Sequence, residues 1–269
     1  MASSTLEAAW GWLAAPGSLQ QLAAVDLGIQ WALWAVAAVL RTEKFYDLAG
    51  SSTFILLAYL NYRHHGRGHP RQAIQTGCVC LWALRLGLFL FTRVLRSGGD
   101  RRFRTAVEEP FRLFVFWTMQ GLWVFFTLLP SLMGVNATRQ PPLGMRDYAG
   151  WSLWAVGFLV EVVADYQKTV FRRDAANEGK FISSGLWSVS RHPNYFGEIL
   201  LWFGLYLSAS ASFRGWQHLA VICPVLDYLL IAKVSGVPFL ERYAAKKWGA
   251  LPQYREYVAS TPLLVPFMG

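Results

Sequence analysis

The chain is poor in charge. Asp, Glu, Lys and Arg make up only 15% of its 269 residues, against about 25% in a typical soluble domain. That deficit excludes an ordinary soluble surface unless the apolar residues are evenly scattered, and they are not. Cysteine is also scarce: Cys78, Cys80 and Cys223 all fall in apolar segments, from which neither a disulfide framework nor a zinc-ligand pattern can be assembled. No Gly-x-Gly-x-x-Gly follows a strand, which excludes a Rossmann nucleotide site. There is no internal repeat, no low-complexity segment and no dividing linker. The first 21 residues contain no Lys or Arg and include Glu7, so they lack the basic start of a secretory signal and the Arg-rich character of a transit peptide, and no cleavage is expected.

What the chain has instead is apolar length. Hydrophobic residues make up 54% and aromatic residues 16%. Crossing a bilayer takes roughly 17–25 apolar residues, and such spans fall at about 22–40, 73–95, 112–135, 148–164, 198–213 and 217–235, with a shorter one at 48–62. The expected fold is therefore all-α: a polytopic membrane bundle of about seven transmembrane helices. The basic tail "ERYAAKKWGALPQYREYV" reads as short interfacial helices. The net charge of +9 suggests nucleic acid until its distribution is read. With the N-terminus on the non-cytoplasmic side, 17 of the 25 Lys and Arg residues fall in cytoplasmic segments and six on the opposite side. This is the positive-inside pattern, and it puts the C-terminus on the cytoplasmic side. The basic excess thus describes topology, and no nucleic-acid partner is expected.

The polar clusters carry unequal weight. His64, His65 and His69 invite a metal reading, but Gly66, Gly68 and Pro70 disfavour one helix through all three. Five histidines in all are too few for a membrane di-iron desaturase. A basic interfacial loop with no metal is the better reading. Ionisable residues in hydrocarbon are costly unless paired or wet; Asp26, Arg85, Glu161, Asp165, Glu198 and Asp227 qualify, with Asp47 at the start of the second span. The group beginning at Glu161 stands apart by density. Asp165, Lys168 and Arg172 recur on one helical face, followed by Asn177, Lys180, Trp187, Arg191, His192, Asn194, Tyr195 and Glu198. Pro193 suits the first turn of a helix, so His192 to Tyr195 should open the sixth span with backbone N–H groups unpaired. Such a turn takes anions well, and Trp187 and Tyr195 offer flat faces for a ring. The combination suits a large, anionic, aromatic-bearing molecule better than a belt of interfacial anchors.

"ADYQKTVFRR" followed by "EGKFISSGLWSVSRHPNYFGEILLWFGLYL" resembles the steroid 5-alpha-reductase superfamily, specifically its DUF1295 branch, which is related to the sterol C14 and C24 reductases. The resemblance is strong over about 161–213, continues through the tail, and is weaker over "LWALRLGLFLFTRVLRSGGDRRF". It implies a single membrane domain over 1–269 with a cofactor-binding half at about 150–269. NADPH would bind from the cytoplasmic side, with the endoplasmic reticulum as the family's usual membrane and another organelle or a bacterial inner membrane left open. Carried over residue by residue, the cofactor site comprises Asp165, Lys168, Arg172, Arg191, His192, Asn194, Tyr195 and Glu198, to which the reading of the polar run adds Asn177 and Trp187. Glu241, Arg242 and Tyr243 match the segment that closes over the cofactor.

The implied chemistry is hydride transfer to a carbon–carbon double bond conjugated with a carbonyl in a lipophilic, sterol-, steroid- or isoprenoid-like enone, with an acid stabilising the enolate. Here the chain departs from the steroid reductases, which use a Tyr on the third helix and a Glu on the second. The third span holds Trp82 and Arg85 but no Tyr; the second holds Asp47, Tyr59 and Tyr62 but no Glu. Asp47, with Tyr59, is the expected substitute. Two rivals stay open. Isoprenylcysteine and phospholipid methyltransferases, which use S-adenosylmethionine, share the Arg-His-Pro-x-Tyr-x-Gly element. A non-catalytic subunit of a larger membrane assembly would keep the fold, with or without the nucleotide.

Overall fold

The computed structural model describes residues 17–268; the leader expected to stay uncleaved therefore lies largely outside the described residues. All regular structure among the described residues is helical. The chain divides into two compact units. One runs through Leu143 and takes in Ala209–Ala220; the other holds Gly144–Ser208 and Val221 onward.

The first unit is built on α1 (Leu19–Leu40), α2 (Tyr46–His65), α3 (Pro70–Ser97) and α4 (Pro110–Asn136). Local chemistry sets their ends. The Ser18 hydroxyl accepts from Gln21 N–H at the start of α1. Pro70 and Pro110 occupy first turns, where no amide hydrogen is needed. Gly98, at φ 76°, ends α3 in the left-handed conformation. His64 and His65 belong to the last turn of α2, so the helix continues further than expected before it breaks at Gly66. The His69 side chain caps α3 by accepting from Arg71 N–H at 3.2 Å. Aromatic rings fill the interior: Phe54 packs edge-on against Trp82 and Trp123 at 5.1 and 5.2 Å. Tyr46, Trp117 and Phe103 form a second nest.

The second unit is built on α5 (Met145–Arg173), α6 (Pro193–Ala209), α7 (Ile222–Leu229), α8 (Gly236–Trp248) and α9 (Pro252–Ser260). A π turn at Leu230–Val234 joins α7 to α8. Two glycine pairs bring α5 and α6 into backbone contact. A Cβ added at Gly157 would stand 2.5 Å from the Gly197 carbonyl oxygen, and one at Gly150 would stand 2.5 Å from that of Gly204. Small residues are how membrane helices approach this closely.

Among the described residues, four stretches are long and apolar enough to cross a membrane: α1, α3, α4 and the run Gly215–Trp248. Each of the seven spans expected from the sequence overlaps a helix, but α2, α5 and α6 do not reach that standard. α2 carries Asp47, Asn61 and Arg63, α5 carries Asp147, Glu161 and Asp165, and α6 has only 17 residues. The described residues thus form an all-helical membrane protein, with four spans among them apparent from length and composition.

Candidate functional site

In the second unit, α5 runs nine residues past the span expected at 148–164, and its polar face organises the loop and helix C-terminal to it. The buried Asp165 carboxylate accepts from Asn194 Nδ2 at 3.2 Å, tying α5 to the first turn of α6. The Lys168 ammonium sits 4.1 Å from the centre of the Trp187 ring, a cation–π contact. The Trp187 indole N–H donates to the Ala164 carbonyl at 3.1 Å. Gln167 accepts from Leu186 N–H at 3.0 Å and lies against Gly185, whose φ of +62° favours glycine. The loop bearing Trp187 is thereby fixed to α5.

Arg191, His192 and Glu241 form the charged centre. Glu241, on α8, accepts from Arg191 NH1 at 2.5 Å and pairs with His192 Nε2 at 2.8 Å. The His192 and Tyr195 rings lie nearly parallel at 5.8 Å. Burial lowers the His192 pKa, Glu241 pulls it the other way, and the positive charges of Lys168 and Arg191 help hold it below the usual imidazole range. Two polar atoms in this cluster are buried with no hydrogen-bond partner: His192 Nδ1 and Arg191 Nε. Such atoms are rare in folded proteins.

The tail straps this segment down. Arg191 N–H donates to the Pro262 carbonyl, the Ser190 hydroxyl to that of Leu264, and the Tyr257 hydroxyl to that of Trp187. Phe181 packs against Trp248, Tyr254 and Tyr257. Tyr257, Tyr254, Gln167 and Phe181 were not among the expected site residues. The recurrence of aromatics in the tail hints only at Tyr254 and Tyr257, whose partners lie up to 76 positions upstream.

Of the residues expected to hold a cofactor, the structure joins Asp165, Lys168, Trp187, Arg191, His192, Asn194 and Tyr195 through these contacts. Glu198 lies one turn further along α6, half-buried. Arg172 and Arg242 are exposed. Asn177 donates to the Phe171 carbonyl and to Asp174 near the end of α5, and Tyr243 stands edge-on to Trp248. The fit to a dinucleotide is good: cations for phosphate, flat rings, and unpaired buried atoms that ask for a partner.

The first unit treats Asp47 and Tyr59 differently. Both Asp47 oxygens accept from Arg102 at 2.8 Å, Arg102 also holds Asp100 at 2.7 Å, and Arg93 stands 3.8 Å from Asp47. Burial alone would raise the Asp100 carboxyl, but the Arg102 hydrogen bonds and charge, with Arg93, hold it below its ordinary value. Tyr59 is half-exposed on another face of α2, and twelve residues along a helix is about 18 Å. The two are too far apart to share one carbonyl oxygen.

A buried chain of amides lies deeper. Gln120 Nε2 donates to Gln30 Oε1 at 2.9 Å and to the Tyr46 carbonyl at 3.2 Å. Gln30 Nε2 reaches the Thr53 hydroxyl at 3.3 Å and Asp26 Oδ1 at 3.4 Å. Thr53 also lines a groove of about 490 Å³ between α1 and α2, whose walls include Ile29, Leu33, Phe45 and Leu56. That volume is within the range of small-molecule pockets.

Comparison with known proteins identifies the family. The DUF1295 family, described as a protein of unknown function, matches residues 33–261. A "Probable O-methyltransferase ustE" of Ustilaginoidea virens is 31% identical over 174 residues, covering 56% of this chain and 60% of the relative. An uncharacterized protein of Schizosaccharomyces pombe is 29% identical over 195 residues, covering 60% and 57%. The 3-oxo-5-alpha-steroid 4-dehydrogenase 1 of Bos taurus is 34% identical over 123 residues, covering 46% and 42%. The matched stretches thus span three-fifths or less of these relatives. No solved structure matches at a significant level. With the family matching most of its length and a steroid dehydrogenase among its relatives, the chain belongs to the DUF1295 branch of the steroid 5-alpha-reductase superfamily.

Proposed function

We propose that this chain is an integral-membrane, NADPH-dependent reductase of a conjugated carbon–carbon double bond in a lipophilic substrate. We read the two units as one steroid-reductase-like domain over 1–269, with the cofactor half at about 150–269. The observation that carries the reading is the convergence of Asp165, Lys168, Trp187, Arg191, His192, Asn194 and Tyr195 at the opening turn of α6. When bound, the nicotinamide supplies the hydride. Lys168 and Arg172 offer charge to the phosphates, Asn194 is oriented by Asp165, and the tail straps over Trp187 keep water from that side of the loop. The α1–α2 groove suits the lipophilic body of the substrate.

Methyl transfer is the second reading, favoured by the name printed for the fungal relative and by the shared Arg-His-Pro-x-Tyr-x-Gly element. The basic face of α5 argues against it, because S-adenosylmethionine has no phosphate. Purified protein should bind NADPH more tightly than NADH or S-adenosylmethionine, measured by calorimetry in detergent. Arg172→Ala should narrow the NADPH to NADH gap, by roughly tenfold if Arg172 meets the 2′-phosphate, since a hydrogen bond to a charged group contributes about 1.5–3 kcal/mol. Tighter binding of S-adenosylmethionine would overturn the reductase reading. Tight NADPH binding with no turnover across an enone panel would favour a non-catalytic subunit.

A further inference from the structure

The two sides of α8 carry different chemistry. The inner side is anchored: Val237 is buried, and Glu241 holds Arg191 and His192. The outer side is open, and its residues change in order along the helix. Phe239 and Tyr243, 48% and 39% exposed, come first, one turn apart on one face. Lys246 and Lys247, both exposed, follow one turn later. Arg255, exposed on α9, brings a third cation to the same helix end. Its Nε–H donates to the Gly249 carbonyl at 2.8 Å, two residues past Lys247. The Lys247 ammonium lies 4.7 Å from the centre of the Trp248 ring.

The protein does not neutralise these charges itself. Glu241 spends one oxygen on Arg191 and the other on His192. Glu256, exposed on α9, is not paired with Lys246, Lys247 or Arg255 among the described residues. α8 also follows the apolar run at 217–235, so it leaves the hydrocarbon as the chain proceeds. An outer face that is apolar first and cationic last, with a Trp beside the cations, has the order of a bilayer read from acyl chains to headgroups. We propose that the end of α8, through Lys246, Lys247 and Arg255, docks the headgroup of an acidic membrane phospholipid, whose acyl chain lies along Phe239 and Tyr243. A zwitterionic headgroup carries its own ammonium, which three cations repel, so a net negative one is selected. The orientation expected from the basic residues puts this end at the cytoplasmic leaflet, where acidic lipids attract such segments. A lipid docked on the outer side of α8 also stabilises the folded state that seats Glu241 on Arg191 and His192. None of this depends on which cofactor the protein binds.

The test titrates the purified full chain in detergent with phosphatidylserine and with phosphatidylcholine of the same acyl chains, read by native mass spectrometry. Melting midpoints in nanodiscs with and without phosphatidylserine accompany it. Phosphatidylserine should bind more tightly and raise the midpoint. Lys246→Gln with Lys247→Gln should weaken its binding by roughly tenfold or more, at about fivefold for each cation, and leave phosphatidylcholine binding unchanged. Lys246→Arg with Lys247→Arg should keep the preference, and Arg255→Gln should reduce it by about fivefold. Equal binding of the two lipids, or an undiminished preference in the double Gln variant, would overturn the inference. So would displacement of phosphatidylserine by millimolar inorganic phosphate, which marks a site for a soluble anion. A loss of melting midpoint in the double Gln variant that is as large without phosphatidylserine as with it would reduce the lysines to stabilisers of the helix end, and would overturn it too.

Discussion

His192 is buried beside cations, so an added proton there has little to welcome it except Glu241. The groups around it are Lys168 on α5, Arg191 in the loop, Tyr195 on α6 and Glu241 on α8, and their net effect lowers its pKa. The native state therefore binds fewer protons at this site than the unfolded chain, and stability rises with pH across that window. The contribution is fully present above the ordinary value of about 6.5 and is lost as pH falls through the lower folded-state value. Melting midpoints measured in detergent from pH 7.5 down to pH 5 should fall less steeply for His192→Phe than for the unaltered protein. Parallel profiles would show that other groups carry the acid sensitivity.

At the level of helices, the α5–α6 crossing is where one atom decides most. Gly157 faces the Gly197 carbonyl so closely that any Cβ must push backbone aside, and backbone does not yield cheaply. Gly157→Val should destabilise the protein by about 1–3 kcal/mol, the usual cost of overpacking. Because α5 carries Asp165 and α6 carries Asn194, the same substitution should weaken NADPH binding. Gly28, in α1, has nothing within 4 Å of its would-be Cβ. Gly28→Ala should instead stabilise by about 0.5–1 kcal/mol through helix propensity alone. Thermal melting of the two variants side by side checks both signs; a tolerated Gly157→Val would mean that the helices can separate without loss.

These helices also show what the sequence makes legible. Apolar runs bracket each helix to within a few residues where the bilayer-length rule applies, as in α1, α3 and α4. The end of α5 escapes that rule because the helix continues past its apolar stretch on a polar face. The spacing of Asp165 and Lys168 and the Pro193 turn mark the polar cluster around the start of α6, since they act locally. The Glu241 bridge, fifty residues long, and the Arg102 clamp on Asp47, fifty-five residues long, depend on tertiary folding and leave no local signature. The amide chain of Gln30 and Gln120 is hidden for the same reason: isolated glutamines in apolar helices read as incidental until they meet.

A parity argument bears on whether α6 crosses. The tail at residues 257–264 hydrogen-bonds the segment Trp187–Arg191, so both lie on one face of the membrane. An even number of crossings must separate them. The run Gly215–Trp248 qualifies by itself as one crossing, which requires α6 to be another. At 17 residues α6 is about 25 Å long, slightly short of a hydrocarbon core of about 30 Å, a mismatch that local thinning or flanking anchors absorb. α5 lies alongside α6 through both glycine pairs and should cross with it. With α2 as well, the count would reach the seven crossings expected from the basic residues. Single cysteines make this testable once Cys78, Cys80 and Cys223 are replaced. Ser184→Cys and Ser260→Cys, both exposed, should react with an impermeant maleimide from the same side of sealed vesicles. Thr138→Cys, between α4 and α5, should react from the other. Labelling of Ser184→Cys and Ser260→Cys from opposite sides would break the parity, and with it the idea that the tail closes over the cofactor half in the membrane.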